Sequence, residues 1–226
     1  AQRYIPRFGF EASKHPPYLT LALGVGSVTP LQMATAYGVF ANQGRLVPPY
    51  LISRIEDQRG QELYNAASQP AAATQAISPA NAYVMNTLLQ EVTRVGTGRR
   101  AQRELERPDL FGKTGTTNNA QDAWFVGYQP KRAAAVWVGY DNPRELGDRE
   151  TGGGVSLPIW INFMREALKD EPVQVFNPPP GTMSLGGDWY LSEFGPQRMI
   201  RVLGDPNLEK PVPAEEEADL PQEKKD

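Results

Sequence analysis

The stretch FGKTGTTNNAQDAWFVGY, residues 111–128, places a lysine, two glycines and three threonines directly before an alternating aromatic run. Two chemistries can use Lys113-Thr114-Gly115-Thr116-Thr117: a loop that cradles phosphate, or a strand edge that holds a peptide carboxylate. The phosphate reading fails on spacing. A Walker-type loop needs a glycine five positions before Gly112, and position 107 is Arg107. Such a loop also puts its lysine at a strand-to-helix turn, whereas Thr116-Thr117 leads through Asn118-Asn119 into a second strand-like run. In an extended segment Thr114 and Thr116 share one face, Gly115 lets a ligand backbone come close, and Lys113 adds a cation. That set suits a carboxylate, although a bare Lys-Thr-Gly at a solvated strand end has the same composition.

Outward from this stretch the patterns predict both strands and helices. Alternation or short apolar runs predict strands over 111–117, 123–128 and 133–140 as adjacent antiparallel neighbours. Gln129-Pro130-Lys131-Arg132 turns the second into the third. Ser156 can cap a helix running to about Leu168, with Trp160, Phe163, Met164 and Ala167 on one stripe laid across the sheet. Upstream, Thr29-Pro30-Leu31-Gln32 combines a capping box with proline at the first helical position. The helix it opens runs to about Asn42, burying Met33, Ala36, Tyr37 and Phe40, with Gly44 placed for a left-handed C-terminal residue. Segments 50–56 and 61–64 flank the turn Asp57-Gln58-Arg59-Gly60 as a hairpin, and 66–76 reads as a small-residue linker. Ser78-Pro79 starts a second helix with Met85, Leu88, Leu89 and Val92 on one face, ended by Gly96 and Gly98. Residues 99–108 read as a charged loop. The class is α+β: an antiparallel sheet flanked by helices.

Composition narrows the function. Over 226 residues, 40% apolar content suffices for a core, and a net charge of −3 supplies no basic field for nucleic acid. With no cysteine, disulfides, thiol nucleophiles and thiolate metal sites are excluded, which fits the cytosol and a bacterial periplasm equally. No run approaches the roughly 18 to 20 apolar residues of a membrane helix. The start at Ala1 reads as internal to a longer chain. The single His15 sits in the polar run Lys14-His15-Pro16-Pro17 and is expected at the surface, so neither a His-based triad nor a metal site is expected. Asp122 is expected to fix a turn before Trp124 or to pair with a nearby cation. Trp124, Trp137 and Trp160 are expected in the core.

Several separated motifs, taken together, carry a resemblance. Lys113-Thr114-Gly115-Thr116-Thr117 is followed by Asp122-Ala123-Trp124-Phe125-Val126-Gly127-Tyr128 and Val136-Trp137-Val138-Gly139. Thr151-Gly152-Gly153 then precedes Pro158-Ile159-Trp160. Before them stand Leu23-Gly24, Gly26 and Thr29-Pro30-Leu31, then Ala36-Tyr37 and Phe40-Ala41-Asn42. In this order, over residues 4–168, the chain resembles the C-terminal half of the transpeptidase domain of class A penicillin-binding proteins. The resemblance implies the β-lactamase/transpeptidase-like serine acyl transferase fold. It also implies D,D-transpeptidation of peptidoglycan stem peptides ending in D-Ala-D-Ala, with β-lactams bound by the complete domain and no cofactor.

By the same resemblance, Lys113 and Thr116 are the catalytic residues in this chain. Lys113 hydrogen-bonds the hydroxyl of a Ser-x-Asn motif, and the Thr116 N–H is an oxyanion donor. Thr114, Gly115, Thr116 and Thr117 line the substrate, the hydroxyls of Thr114 and Thr116 taking its carboxylate. The chain departs from the family in one respect: no serine has Lys three positions on, and none has Asn two positions on. The family places both motifs upstream, so the nucleophile and the upstream half of the domain are expected as a partner segment. The parent is expected in the bacterial cell envelope, on the periplasmic face of the cytoplasmic membrane. An N-terminal anchor would hold it there, beside a glycosyltransferase domain and with carboxypeptidase activity open. The alternative is a noncatalytic docking module derived from the same domain. Residues 1–170 are then the C-terminal part of the transpeptidase domain, 171–208 a Pro-rich, partly docked extension, and 209–226 a disordered acidic tail.

Overall fold

Thr29-Pro30-Leu31-Gln32 opens its helix as the residue chemistry dictates. The Gln32 N–H donates to Thr29 Oγ1 at 3.1 Å and the Thr29 N–H donates to Gln32 Oε1 at 2.9 Å, so two orphan donors are satisfied reciprocally. In the computed structural model, which describes residues 1–15, 17–24, 26–68 and 73–195, this is helix α1, Pro30–Ala41. It ends at Gly44, whose φ of +87° and N–H bond to the Val39 carbonyl at 2.8 Å meet the need for a left-handed residue. Ala36 and Val39 are its buried positions, Tyr37 and Phe40 pack partly buried, and Met33 lies at the margin.

Strand β1, Arg45–Leu46, follows, then the hairpin of β2, Arg54–Glu56, and β3, Glu62–Asn65. The Asp57 carboxylate accepts the N–H groups of Arg59 and Gln61, both at 2.8 Å, closing the expected turn. The segment read as a linker is structured at both described ends. Ala66–Ser68 makes a 3₁₀ turn, and β4, Thr74–Gln75, pairs antiparallel with β1. The backbone beyond β4 approaches Gly44 closely because that residue has no side chain, and the Gly44 carbonyl accepts from the Ala76 and Ile77 N–H groups.

Helix α2, Pro79–Arg94, is capped by the Ser78 hydroxyl, which accepts from Asn81 N–H. Its buried face differs from the apolar periodicity: Ala82, Asn86, Leu89 and Thr93 point inward, and Leu88 is exposed. Two polar groups can lie there because each has a tertiary partner. Asn86 accepts from the Tyr128 hydroxyl and donates to the Phe40 carbonyl, while Thr93 donates to the Leu110 carbonyl. Burial pushes the Tyr128 phenol upward, with Tyr37 beside it adding to the effect, and burial pushes Tyr37 up to about 12, so both stay protonated donors. The expected loop at 99–108 contains a short helix, α3, Arg100–Leu105. Ala101 and Leu105, four apart, face the core on a segment whose remaining residues are charged or polar.

Strands β5, Phe111–Thr116, β6, Asp122–Gln129, and β7, Arg132–Gly139, form one antiparallel sheet in the order β5-β6-β7. Helix α4, Leu157–Ala167, lies across one face with α3, burying Leu110, Phe125, Trp160, Ile161 and Met164. On the other face α1 and α2 pack on Phe111 and Tyr128, whose rings stack at 5.1 Å. Ser156 does not cap α4. Its buried hydroxyl donates to the Ala123 carbonyl at 2.8 Å instead. The cap moves back to Thr151, whose hydroxyl accepts from Gly154 N–H and opens a π-type turn, Gly152–Ser156. His15, expected at the surface, is buried edge-on against Phe10, with Gly26 leaving the space its ring occupies. Of the three tryptophans expected in the core, Trp160 is fully buried, and Trp124 and Trp137 are half-buried cross-strand partners.

After α4 the chain turns back over α2. Phe176 packs on Phe111, and the hairpin of β8, Thr182–Leu185, and β9, Asp188–Leu191, sets Trp189 edge-on against Tyr83. The acidic tail lies outside the described residues. The return is fixed by one buried pair: Arg107 chelates Asp109 through Nε at 3.0 Å and Nη2 at 2.8 Å. Its guanidinium also donates to the Glu171 and Pro172 carbonyls, while Asp109 accepts from Gln174 N–H at 2.9 Å. Burial works to raise the Asp109 pKa, but the Arg107, Gln174 and Gln129 donors together hold it below the usual carboxylate range. Removing one partner leaves an uncompensated buried charge, so Arg107→Ala should cost about 3–5 kcal/mol in urea unfolding. A carboxylate with a depressed folded-state pKa stabilises at neutral pH, and that stability is lost as pH falls through the folded value. Asp109→Asn should therefore flatten the acid side of the stability curve; an unchanged slope would show that the pair contributes nothing.

Candidate active site

The edge strand β5 presents the residues singled out in the sequence. The hydrogen-bonding side of β5 that faces β6 is set by Thr117, whose N–H donates to the Asp122 carbonyl at 3.1 Å. Because strand N–H groups alternate in direction, the Thr116 N–H points away from β6, toward the open edge. Lys113 is exposed, and its Nζ donates to the outward Thr114 carbonyl at 2.9 Å, so its charge sits at that same edge. Among the described residues, no carboxylate forms an ion pair with it.

Alternation puts Lys113 and Gly115 on the α1–α2 side of the sheet, and Thr114 and Thr116 on the α4 side. There the two hydroxyls meet two other segments. Thr116 Oγ1 accepts the Gly152 N–H at 3.2 Å, and Thr114 Oγ1 lies 2.8 Å from Thr97 Oγ1. Thr117 serves the turn: its hydroxyl accepts the Asp122 N–H at 2.8 Å. The Asp122 carboxylate accepts the Trp137 indole N–H at 2.8 Å. Of the two roles expected for Asp122, its backbone closes the turn with Thr117, and its carboxylate meets an indole across the hairpin in place of a cation.

Glycines create this closeness. A Cβ on Gly152 would lie against the Trp124 carbonyl and 2.6 Å from the Gly115 carbonyl, and one on Gly115 would press Trp124 Cβ at 3.2 Å. The π-type turn can therefore sit directly on the β5–β6 pair only because position 152 carries no side chain. Thr97 and the Gly152 backbone were not among the sequence-predicted site residues. The signal for each was present as a glycine cluster, Gly96-Thr97-Gly98 and Gly152-Gly153-Gly154, which marks close backbone approach.

The geometry offers one exposed cation, two hydroxyls on a shared face and an outward N–H within four consecutive residues of a rigid edge. That arrangement can bind a carboxylate and donate to a developing oxyanion. Comparison with known proteins agrees. Residues 13–165 match the family model described as the penicillin binding protein transpeptidase domain. The chain is 46% identical over 212 residues to penicillin-binding protein 1A of Neisseria lactamica, covering 92% of this chain and 25% of that protein. It is 40% identical to penicillin-binding protein 1A of Pseudomonas aeruginosa, covering 80% of this chain and 28% of the relative. The chain thus spans about a quarter of the length of these relatives.

Among solved structures, penicillin-binding protein 1A from Haemophilus influenzae is similar with a TM-score of 0.76 and 31% identity, over 80% of this chain and 32% of that one. Penicillin-binding protein PonA1 from Mycobacterium tuberculosis is similar with a TM-score of 0.64 and 27% identity, over 77% of this chain and 50% of that one. The fold expectation is met: helices flank an antiparallel sheet of the serine acyl transferase type, with the Lys-Thr-Gly strand at its edge. With the family model spanning most of the chain and its relatives aligned along nearly all of it, this chain belongs to the penicillin-binding protein transpeptidase family.

Proposed function

We propose that this chain supplies the C-terminal part of a peptidoglycan D,D-transpeptidase domain within a longer, membrane-anchored protein of the bacterial cell envelope. Residues 1–170 belong to that domain, and residues 171–208 form a Pro-rich, partly docked extension, whose described part sets Trp189 against Tyr83 of α2. The observation that carries the reading is the Lys113-Thr114-Gly115-Thr116 edge, whose outer side pairs with no strand among the described residues, in a chain that matches the family. A β-lactam complex is known for one related structure, PonA1 with penicillin V.

In this proposal an upstream serine attacks the carbonyl of the penultimate D-Ala of a stem peptide, expelling the terminal D-Ala. Lys113 lies toward α1 and α2, where its charge meets the hydroxyl of an upstream Ser-x-Asn motif and draws the substrate carboxylate. Thr114 and Thr116 hydrogen-bond that carboxylate, with Gly115 giving it room. The Thr116 N–H, directed outward, is one of two donors to the oxyanion of the tetrahedral intermediate. Thr117 closes the strand end beside them. Water can replace the acceptor amine in such chemistry, so D,D-carboxypeptidation belongs to the same site. A glycosyltransferase domain in the parent completes the proposal.

Two measurements test it. In the complete domain, Lys113→Ala should slow acylation by a fluorescent penicillin roughly 10²- to 10³-fold. Thermal stability should hardly move, because exposed charges contribute little. A folded Lys113→Ala protein acylated at the unsubstituted rate would remove Lys113 from the chemistry. The 226-residue chain alone, with no Ser-x-x-Lys, should take no covalent label, and mixing it with the upstream part of the domain should restore labelling. Penicillin-competed labelling of the chain alone would overturn the assignment of the nucleophile, and a failure to reconstitute would favour a noncatalytic docking module.

A further inference from the structure

The loop after α2 reaches the candidate site from outside the edge strand. Three hydrogen bonds wind residues 95–98 tightly: Val95 and Gly96 N–H donate to the Glu91 carbonyl, both at 3.0 Å, and Gly98 N–H donates to the Val92 carbonyl at 2.9 Å. A side chain on either flanking glycine would crowd its neighbours. A Cβ on Gly96 would lie 2.9 Å from Val92 Cα, and one on Gly98 would lie 3.3 Å from Phe125 Cε2 and 3.2 Å from the Val92 carbonyl. The loop thus rests on Phe125, a residue of the α4-side core. It also closes on the π-type turn, since a Cβ on Gly153 would lie 3.3 Å from the Thr97 carbonyl.

Thr97 itself is exposed, so burial does not explain a hydroxyl at this position. Its side chain has one described partner, the Thr114 hydroxyl, 2.8 Å away. Resting on the reading that Thr114 binds the substrate carboxylate, we infer that Thr97 is a positioning residue that aims the Thr114 hydroxyl at that carboxylate. The argument is a count of protons. A hydroxyl carries one proton, and a carboxylate can only accept. When Thr114 donates its proton to the carboxylate, the Thr97 hydroxyl can stay bonded to it only by donating to Thr114 Oγ1. The pair then forms a directed chain from Thr97 through Thr114 to the ligand, in which each bond polarises the next. Without Thr97, the Thr114 rotor is free to turn, and its proton must be oriented at the moment of binding. Thr116 does not share this dependence, because its hydroxyl is held by the Gly152 backbone N–H.

The test uses the complete protein and two acylating probes, a penicillin with its free carboxylate and the corresponding methyl ester. The ratio of their second-order acylation rates reads carboxylate recognition and does not depend on the fraction of protein that is folded. Thr97→Val, isosteric but lacking the hydroxyl, should lower this ratio about 3- to 10-fold, the loss of a single hydrogen bond between neutral groups. Thr97→Ser should restore it. The double variant Thr97→Val/Thr114→Val should be no worse than Thr114→Val alone, since Thr97 acts through that hydroxyl. A wild-type ratio in Thr97→Val, or losses that multiply in the double variant, would overturn the inference while leaving the transpeptidase reading intact. If the unsubstituted complete protein is not acylated by either probe, that reading fails, and this inference with it.

Discussion

The pairing of Phe111 with Tyr128, carried without a break to Thr116 opposite Ala123, decides which side of the sheet every residue of β5 and β6 occupies. Side chains alternate with a period of two, so a slip of one residue would exchange the faces wholesale. With β5 slipped, Phe111 would leave the layer it shares with Tyr128, α1 and α2. Thr114 and Thr116 would turn away from Thr97 and Gly152 as well. The core on both faces therefore enforces the register, and the register delivers the candidate site. Gly112 and Gly127, paired next to Phe111 and Tyr128, keep that arrangement tight: a Cβ on the first would press Phe125 Cζ at 2.8 Å, and one on the second Trp160 Cζ2 at 2.9 Å.

The same contact logic explains why the site is rigid on one side and open on the other. Toward α4, the strand is backed by the π-type turn and the loop after α2, each brought within hydrogen-bond reach by glycines. Toward solvent, the Thr116 N–H, the Thr114 carbonyl and the Lys113 ammonium meet, among the described residues, no protein group except one another. A preorganised edge of this kind can meet an extended peptide backbone as a strand meets its neighbour, using groups already aligned before the ligand arrives.

The local features were legible in the sequence and the tertiary ones were not. Thr29-Pro30-Leu31-Gln32 could be read because a capping box is completed within four residues, and the strands because alternation is a local pattern. Helix α3 escaped because two core positions, Ala101 and Leu105, are outnumbered by Arg100, Gln102, Arg103 and Glu104. The inner face of α2 was misjudged because Asn86 and Thr93 look like surface residues until Tyr128 and the Leu110 carbonyl arrive to satisfy them. Ser156 looked like a cap, yet its hydroxyl is claimed by the Ala123 carbonyl, a partner 33 residues away. In the candidate site, Lys113, Thr114 and Thr116 stood out as a motif, while Thr97 lies 17 residues before the threonine it touches and has no periodicity of its own.

Strand β7 has a second consequence. Among the described residues it pairs only with β6, so its outer backbone groups face outward along all eight residues. That margin lies two strand spacings, about 10 Å, from β5. Between the two margins stands β6, whose Tyr128 packs toward α1 and α2 and whose Phe125 packs toward α4. The open margin of β7 and the Lys113 margin are therefore separate surfaces of one sheet. A change in β6 is felt at both, because its Tyr128 ring stacks on Phe111 of β5 and its backbone pairs with β7 along all eight residues.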